Sequence, residues 1–438
     1  MYIIIFRGAT LDKSCFWVQF FFSPVPIIGM TKITPMRSIL NKQSAVMVDI
    51  KNFSIFVIFF LINFSVICYS QESPITKSTE TPFRLIGDIH FKKSVYFKNT
   101  IVGGISGIDM NPDGLFYLIS DDISERDPSR FYTANLDYDE KTFNSIKFIN
   151  VTYMRTPSKS TFPFKNGLIT SVEKEIANAE SIRYNKESNS LFWTSEGLNA
   201  FPIAPIQPFI RQMNLNGEFV NEIETPEQFR YFVNNDKTGL RTNATFESLC
   251  LIPNSDELLV VTEAPLIQDG LRPNYFMNGS PVRIVRINWK TNQHIAQYAY
   301  VPDKTPIQPL PAVAKSDNGV TDILHIDSCR FLVLERSFSN GYDIAKGNSI
   351  RVYEIDLSNS ATVSTNSSLS ITPFVSIKKR LVLDFSQIGL KRIDNIEGMC
   401  WGKDLSNGKK SIVFVSDDNF NYKQIFQILV FEIDSNLL

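Results

Sequence analysis

One stretch recurs five times along the chain in different spellings, and it restricts the possible folds more than any other feature. Its clearest copy is NAESIRYNKESNSLFWTSEG, from Asn178 to Gly197. A small polar or acidic start leads into a short apolar run, a polar turn, a second run of β-formers and an acidic stop. The plan returns in GGISGIDMNPDGLFYLISDD, TFESLCLIPNSDELLVVTEA, NGVTDILHIDSCRFLVLERS and NIEGMCWGKDLSNGKKSIVFVSDD. With Ser106, Glu180, Glu247, Asp322 and Glu397 taken as equivalent, the steps are 74, 67, 75 and 75 residues. A repeat held at such an interval points to a solenoid, a propeller or an array.

Each copy is a β-hairpin, and two further strands follow it. They turn at Asp137 to Lys141, at Asn216-Gly217 (a favourable tight-turn pair) and at Lys290 to Asn292. The fifth unit has only QILVFEI after its hairpin, so it lacks a fourth strand. The strand-like FRLIGDIHF, Phe83 to Phe91, stands unpaired at the other end and can supply it. Joining the two ends removes the exposed edges of a ring. The expected fold is therefore all-β: a β-propeller of five four-stranded blades closed by an N-terminal strand, with six blades an open alternative.

Tight hairpins place the start of the first strand beside the end of the second. Glu180 should then approach Glu196, Glu247 approach Glu263, Asp322 approach Glu335, and Glu397 approach Asp417 and Asp418. Ser106 should lie near Asp121 and Asp122. Arranged around an axis, these side chains meet on one face. Like charges so placed raise one another's pKa or require cations, and oxygen-only clusters suit Ca²⁺. The candidate metal ligands are Glu180, Glu247, Asp322 and Glu397, ringed by Glu196, Glu263, Asp121, Asp122, Asp417 and Asp418. Glu247, Glu335 and Arg336 are the candidate catalytic residues, Arg336 as a planar fork for phosphate; Arg241 is a weaker second. The long loops Thr156 to Ala177, Thr225 to Thr242, Leu266 to Pro281 and Val301 to Asp317 are expected to wall this face.

The remaining chemistry is sparse. His90, His294 and His325 lie apart, and no CxxC spacing exists. Ser195 in TSEG lacks the glycines of a nucleophile elbow. Residues 47–70 have the layout of a secretory signal peptide, with cleavage expected after Ser70. Met47 then becomes the expected start, and residues 1–46 an upstream extension. Residues 71–82 read as a flexible leader and 83–438 as the propeller domain. Removing residues 1–70 takes six of the 44 basic and two of the 45 acidic residues, leaving a charge of about −5. Neither nucleic acid nor a membrane surface is expected as a partner; a monomer acting on a small molecule is. Cys250, Cys329 and Cys400 remain, an odd number on apolar strands, which favours free buried thiols. Sequons at Asn150, Asn243, Asn278 and Asn366 fit a secreted glycoprotein.

The motifs GGISGID, SDD, NAESI with TSEG, FESL with TEAP, NGVTDIL with LERS and NIEGM with SDDN, in this order, resemble the "esterase-like activity of phytase" family. The resemblance spans roughly residues 84–434. It implies phosphoester or related ester hydrolysis and, by analogy with β-propeller phytases, calcium. Three readings stay open: a Ca²⁺-dependent phosphoesterase, a non-catalytic calcium-stabilised propeller binding protein or glycan, and a metal-dependent lactonase or carboxylesterase.

Overall fold

Strand by strand, the alternation of β-formers and turn residues becomes five antiparallel sheets. The computed structural model describes residues 81–91, 95–162, 175–200, 204–233 and 235–434, so the expected signal peptide, extension and leader up to residue 80 lie outside the described residues. Strand β1 (Phe83–Phe91) precedes a small hairpin of β2 (Val95–Phe97) and β3 (Thr100–Val102). Blade 1 is β4 (Ile105–Met110), β5 (Phe116–Ser120), β6 (Arg130–Tyr138) and β7 (Phe143–Tyr153). Blade 2 is β8 (Ala179–Asn185), β9 (Ser190–Ser195), β10 (Phe209–Asn214) and β11 (Phe219–Ile223). Blade 3 is β12 (Phe246–Leu251), β13 (Glu257–Thr262), β14 (Val282–Asn288) and β15 (Gln293–Tyr300). Blade 4 is β16 (Ser316–Asp327), β17 (Arg330–Ser339), β18 (Asn348–Asp356) and β19 (Lys379–Asp384). Blade 5 is β20 (Asn395–Trp401), β21 (Lys410–Asp417) and β22 (Phe426–Ile433), with β1 as its outer strand.

The expected closure is realised. Phe83 pairs with Ile433 and Phe91 with Phe426, and Arg84 and Glu432 form an ion pair at 2.8 Å across the seam. The first strands of successive blades touch in a ring, β4 to β8, β12, β16, β20 and back to β4. The propeller therefore has five blades.

Sheets covered on both faces need strands that are apolar throughout. Every residue of SLFWTS in β9 and of FQILVFEI in β22 is buried. The outer strand β7 alternates between half-buried and exposed positions. Five apolar clusters fill the five spaces between neighbouring blades. Between blades 4 and 5, Phe431 meets Phe385 and Phe414 edge-on, with ring centroids 5.7 and 5.5 Å away. Cys250 and Cys400 are buried free thiols, and Cys329 is a half-buried one.

Candidate functional site

Each first strand carries one irregularity near its start, and these irregularities place the site. Pairing shifts between Ile105 and Gly107, Ala179 and Ile182, Phe246 and Ser248, Val320 and Asp322, and Ile396 and Gly398. An extra residue in one strand of a pair re-aims a side chain. The bulge positions are Ser106, Glu180 with Ser181, Glu247, Thr321 and Glu397. The equivalent residue in blade 4 is therefore Thr321, one place before the expected Asp322. Ser106 Oγ and Thr321 Oγ1 are buried and have no hydrogen-bond partner among the described residues.

The sharpest convergence lies between blades 2 and 3. Glu180, Glu196 and Glu247 are all buried, and each offers a carboxylate oxygen within 4.8 Å of the others. Glu180 and Glu247 come from first-strand bulges, while Glu196 follows β9. Asn178 Nδ2 donates to Glu196 Oε2 at 3.2 Å, and the Thr245 backbone N–H to its Oε1. Burial pushes the pKa of Glu180 and Glu247 well up, and the neighbouring carboxylates push further. Glu196 is raised to about 7, chiefly by burial, with the Thr245 N–H pulling the other way.

The rest of the ring is divided between this centre and structural tasks. Arg336 Nη2 donates to Glu397 Oε1 at 3.0 Å and to Glu263 Oε1 at 3.3 Å, tying blades 3, 4 and 5, while its buried Nε has no partner among the described residues. Arg272, from the Leu266 to Pro281 loop, reaches Glu263 at 3.1 Å and Asp317 at 2.8 Å. Tyr231, from the Thr225 to Thr242 loop, donates to the Glu196 carbonyl at 3.1 Å. These two loops thus wall the acidic face. Gly319 makes room here, since a Cβ on it would lie 2.5 Å from Glu263 Cγ. Asp121 and Asp417 also stand high in pKa, first from burial and then from neighbouring carboxylates. Asp418 accepts the N–H groups of Gly104 and Phe420, at 2.8 and 3.1 Å, and latches blade 5 to blade 1.

Four expected site residues are engaged elsewhere. Asp322 accepts Arg183 Nη2 at 2.5 Å, the Met399 N–H at 2.8 Å and the Ile323 N–H at 2.9 Å. Arg183 also donates to the Ile108 carbonyl at 2.8 Å, so this pair bridges the channel across blades 1, 2, 4 and 5. Glu335 accepts Tyr300 Oη at 2.6 Å, Lys379 Nζ at 2.6 Å, Asn318 Nδ2 at 2.7 Å and the Asp303 N–H at 3.1 Å. Those partners lie on blades 3 and 4 and the loop between them. Asp122 accepts Arg130 Nη1 at 2.9 Å and three backbone N–H groups, holding the loop after β5. Arg241 ties its loop to the one after β13 through the carbonyls of Pro265 and Gly270, at 3.0 and 2.5 Å. Sequence reasoning passed over Arg183 and Arg272. The first carries a signal, since no other blade's first strand contains an arginine or lysine; the second, in an irregular loop, carries none.

A closed ring of five four-stranded blades with buried carboxylates at the strand starts defines the class: a β-propeller with an acidic hub. The family model for phytase-like proteins, described as "esterase-like activity of phytase", matches residues 100–420, and the chain belongs to that family. No curated protein sequence matches it. Among solved structures it is similar to a GH43 β-1,3-galactosidase with galactodeoxynojirimycin (TM-score 0.43, 10% identity, 78% of this chain and 94% of that one). It is also similar to Penicillium chrysogenum α-L-arabinanase complexed with arabinobiose (TM-score 0.36, 10% identity, 81% and 98%). A third is the Dos1 propeller (TM-score 0.29, 9% identity, 76% and 69%).

Proposed function

We propose that the protein is a secreted, calcium-dependent phosphoester hydrolase whose ion is held by Glu180, Glu196 and Glu247. The observation that supports this reading is the meeting of three buried carboxylates from two blades within 4.8 Å. Three such groups without a counter-charge repel, and hard oxygen donors suit Ca²⁺. The unpartnered hydroxyls of Ser106 and Thr321 are further oxygen donors at equivalent bulge positions. When bound, the ion supplies positive charge against the charge that builds on a phosphoryl group. Arg336 and Arg272 are held by carboxylates on the same face, and the free Arg336 Nε–H offers a donor to a phosphate oxygen. Glu335, with four partners, is assigned a structural task and no step. Secretion is supported by the exposure of Asn150, Asn243, Asn278 and Asn366, and no helix among the described residues is long and apolar enough to cross a membrane.

The test uses p-nitrophenyl phosphate, phytate, lactones and aryl acetates with wild type and Glu247→Gln, in CaCl2 and in EGTA. The reading expects turnover of a phosphoester that EGTA abolishes and Glu247→Gln strongly reduces. Equal turnover in excess EGTA contradicts it. One observation favours a second reading, a calcium-stabilised propeller without catalysis. The ion's ligands come from neighbouring blades, so binding also staples them. Calcium-dependent stabilisation with no turnover on any of these substrates selects it.

A further inference from the structure

At its other end the channel opens into a cavity of about 640 Å³, within the size range of small-molecule sites. It is lined by the far ends of the first strands and the turns after them: Asp109, Tyr184, Ile252, Ile326 and Trp401 among others. These residues lie three to five positions beyond the bulges, about 10–16 Å along the strand. The Arg183–Asp322 pair stands between the two ends. The walls are apolar, with Met110, Leu251, Ile252, Leu324 and Ile326 facing in beside the Trp401 indole.

The charges do not balance at the cavity floor. Arg183 is matched by Asp322, and Asp109 adds a second carboxylate. Asp109 accepts the Tyr184 N–H at 2.7 Å, but no side-chain cation among the described residues bonds to it. Burial raises its pKa, Arg183 opposing from a distance. His325, the nearest histidine, is shifted down by burial and supplies no compensating charge. At the mouth Lys410 pairs with Asp404 at 2.7 Å and Arg330 with both Asp327 and Glu354, while Lys186 and Glu187 add one exposed charge of each sign at the rim. Asp109, held by a backbone N–H, therefore has no bonded side-chain cation among the described residues at the floor of a mainly apolar cavity. Carboxylates in low-dielectric surroundings need a bonded cation or a proton.

We infer that this cavity is a second ligand site, for an organic monocation: an ammonium group at Asp109 carried on an aromatic or aliphatic body against Trp401 and Ile326. An aromatic wall also favours cations through its π-face. The site goes beyond the proposed hydrolase and does not depend on the hub ion.

Three dyes sharing one fluorophore test it on the full chain: dansylcadaverine (cationic), dansylamide (neutral) and dansylglycine (anionic). In saturating CaCl2, dansylcadaverine should bind saturably at one site per chain, at least tenfold more tightly than the other two. Asp109→Asn should remove that preference, and Ile326→Arg, which fills the cavity with a fixed cation, should abolish binding while Ca²⁺ stabilisation persists. Glu247→Gln should leave dye binding unchanged. Equal binding of the three dyes overturns the inference, as does absence of saturable binding. Loss on Glu247→Gln with retention in Asp109→Asn also overturns it, by placing the amine at the hub. If Asp109→Asn does not fold, the dye ranking and Ile326→Arg still decide.

Discussion

Replacing Glu247 by Gln should stabilise the ion-free protein, the opposite of what removing a buried, hydrogen-bonding side chain usually does. The carboxyl is buried against Glu180 and Glu196, and its pKa in the fold is well above the ordinary value. A raised folded-state pKa favours the fold below the unfolded value of about 4.3, and that contribution is lost as pH rises towards the folded pKa. Above its unfolded pKa the ion-free fold must either keep this group protonated or hold its charge against Glu180 and Glu196, and each pH unit of that mismatch is worth about 1.4 kcal/mol. Gln has nearly the same shape, carries no charge and donates to the neighbouring carboxylates. A net gain of about 1–2 kcal/mol in EGTA, the worth of about one pH unit, is expected once imperfect amide geometry is subtracted. Calcium reverses the order: an ion at a hundred times its dissociation constant stabilises wild type by about 2.7 kcal/mol. The variant, with a ligand gone, gains little. Urea unfolding of both proteins in EGTA and in millimolar CaCl2 measures all four values. Reasoning from repulsion at the hub fails if Glu247→Gln is less stable than wild type in EGTA by 1 kcal/mol or more.

Other consequences are independent of that experiment. Asp322→Ala leaves Arg183 buried without its partner and should cost about 3–5 kcal/mol, with calcium stabilisation intact; loss of the calcium response would restore Asp322 to the ion site. Chelated wild type should lose stability between about pH 4.3 and the folded pKa of Glu196, about 7, as followed by urea midpoints across that window. At the ring seam, hydrogen bonding from Arg84 holds the Glu432 pKa down at about 2. Its contribution is present above the unfolded value and fades as pH falls towards 2; because Arg84 is half exposed, Glu432→Gln should cost only about 1 kcal/mol near neutral pH. Phe431→Ala empties the space between blades 4 and 5 and should destabilise by about 3–5 kcal/mol in the same assay.

The ring itself was legible because blade architecture is written in short-range terms. Alternating β-formers, Asn216-Gly217 and the missing fourth strand after QILVFEI each follow from local rules, and together they require Phe83 to Phe91 at the seam. The hub was legible only to within a residue. Glu180, Glu196 and Glu247 meet as the hairpin geometry suggests, but the bulge between Val320 and Asp322 advances the strand by one place. Thr321 takes the hub position, and Asp322 crosses the channel to Arg183. A single-residue slip changes which way every following side chain points, and no local signal in NGVTDIL marks it. Glu335 differs for another reason: its four partners lie up to 44 residues away in sequence, on elements whose proximity only the assembled ring creates.

The claim on which the function rests is that a hard divalent ion sits between blades 2 and 3. A crystal grown in CaCl2 and measured for calcium anomalous scattering tests it directly. The account predicts a peak about 2.3–2.6 Å from oxygens of Glu180, Glu196 and Glu247. Direct hydrogen bonds among those three carboxyls at saturating calcium, with no anomalous peak between them, would contradict it.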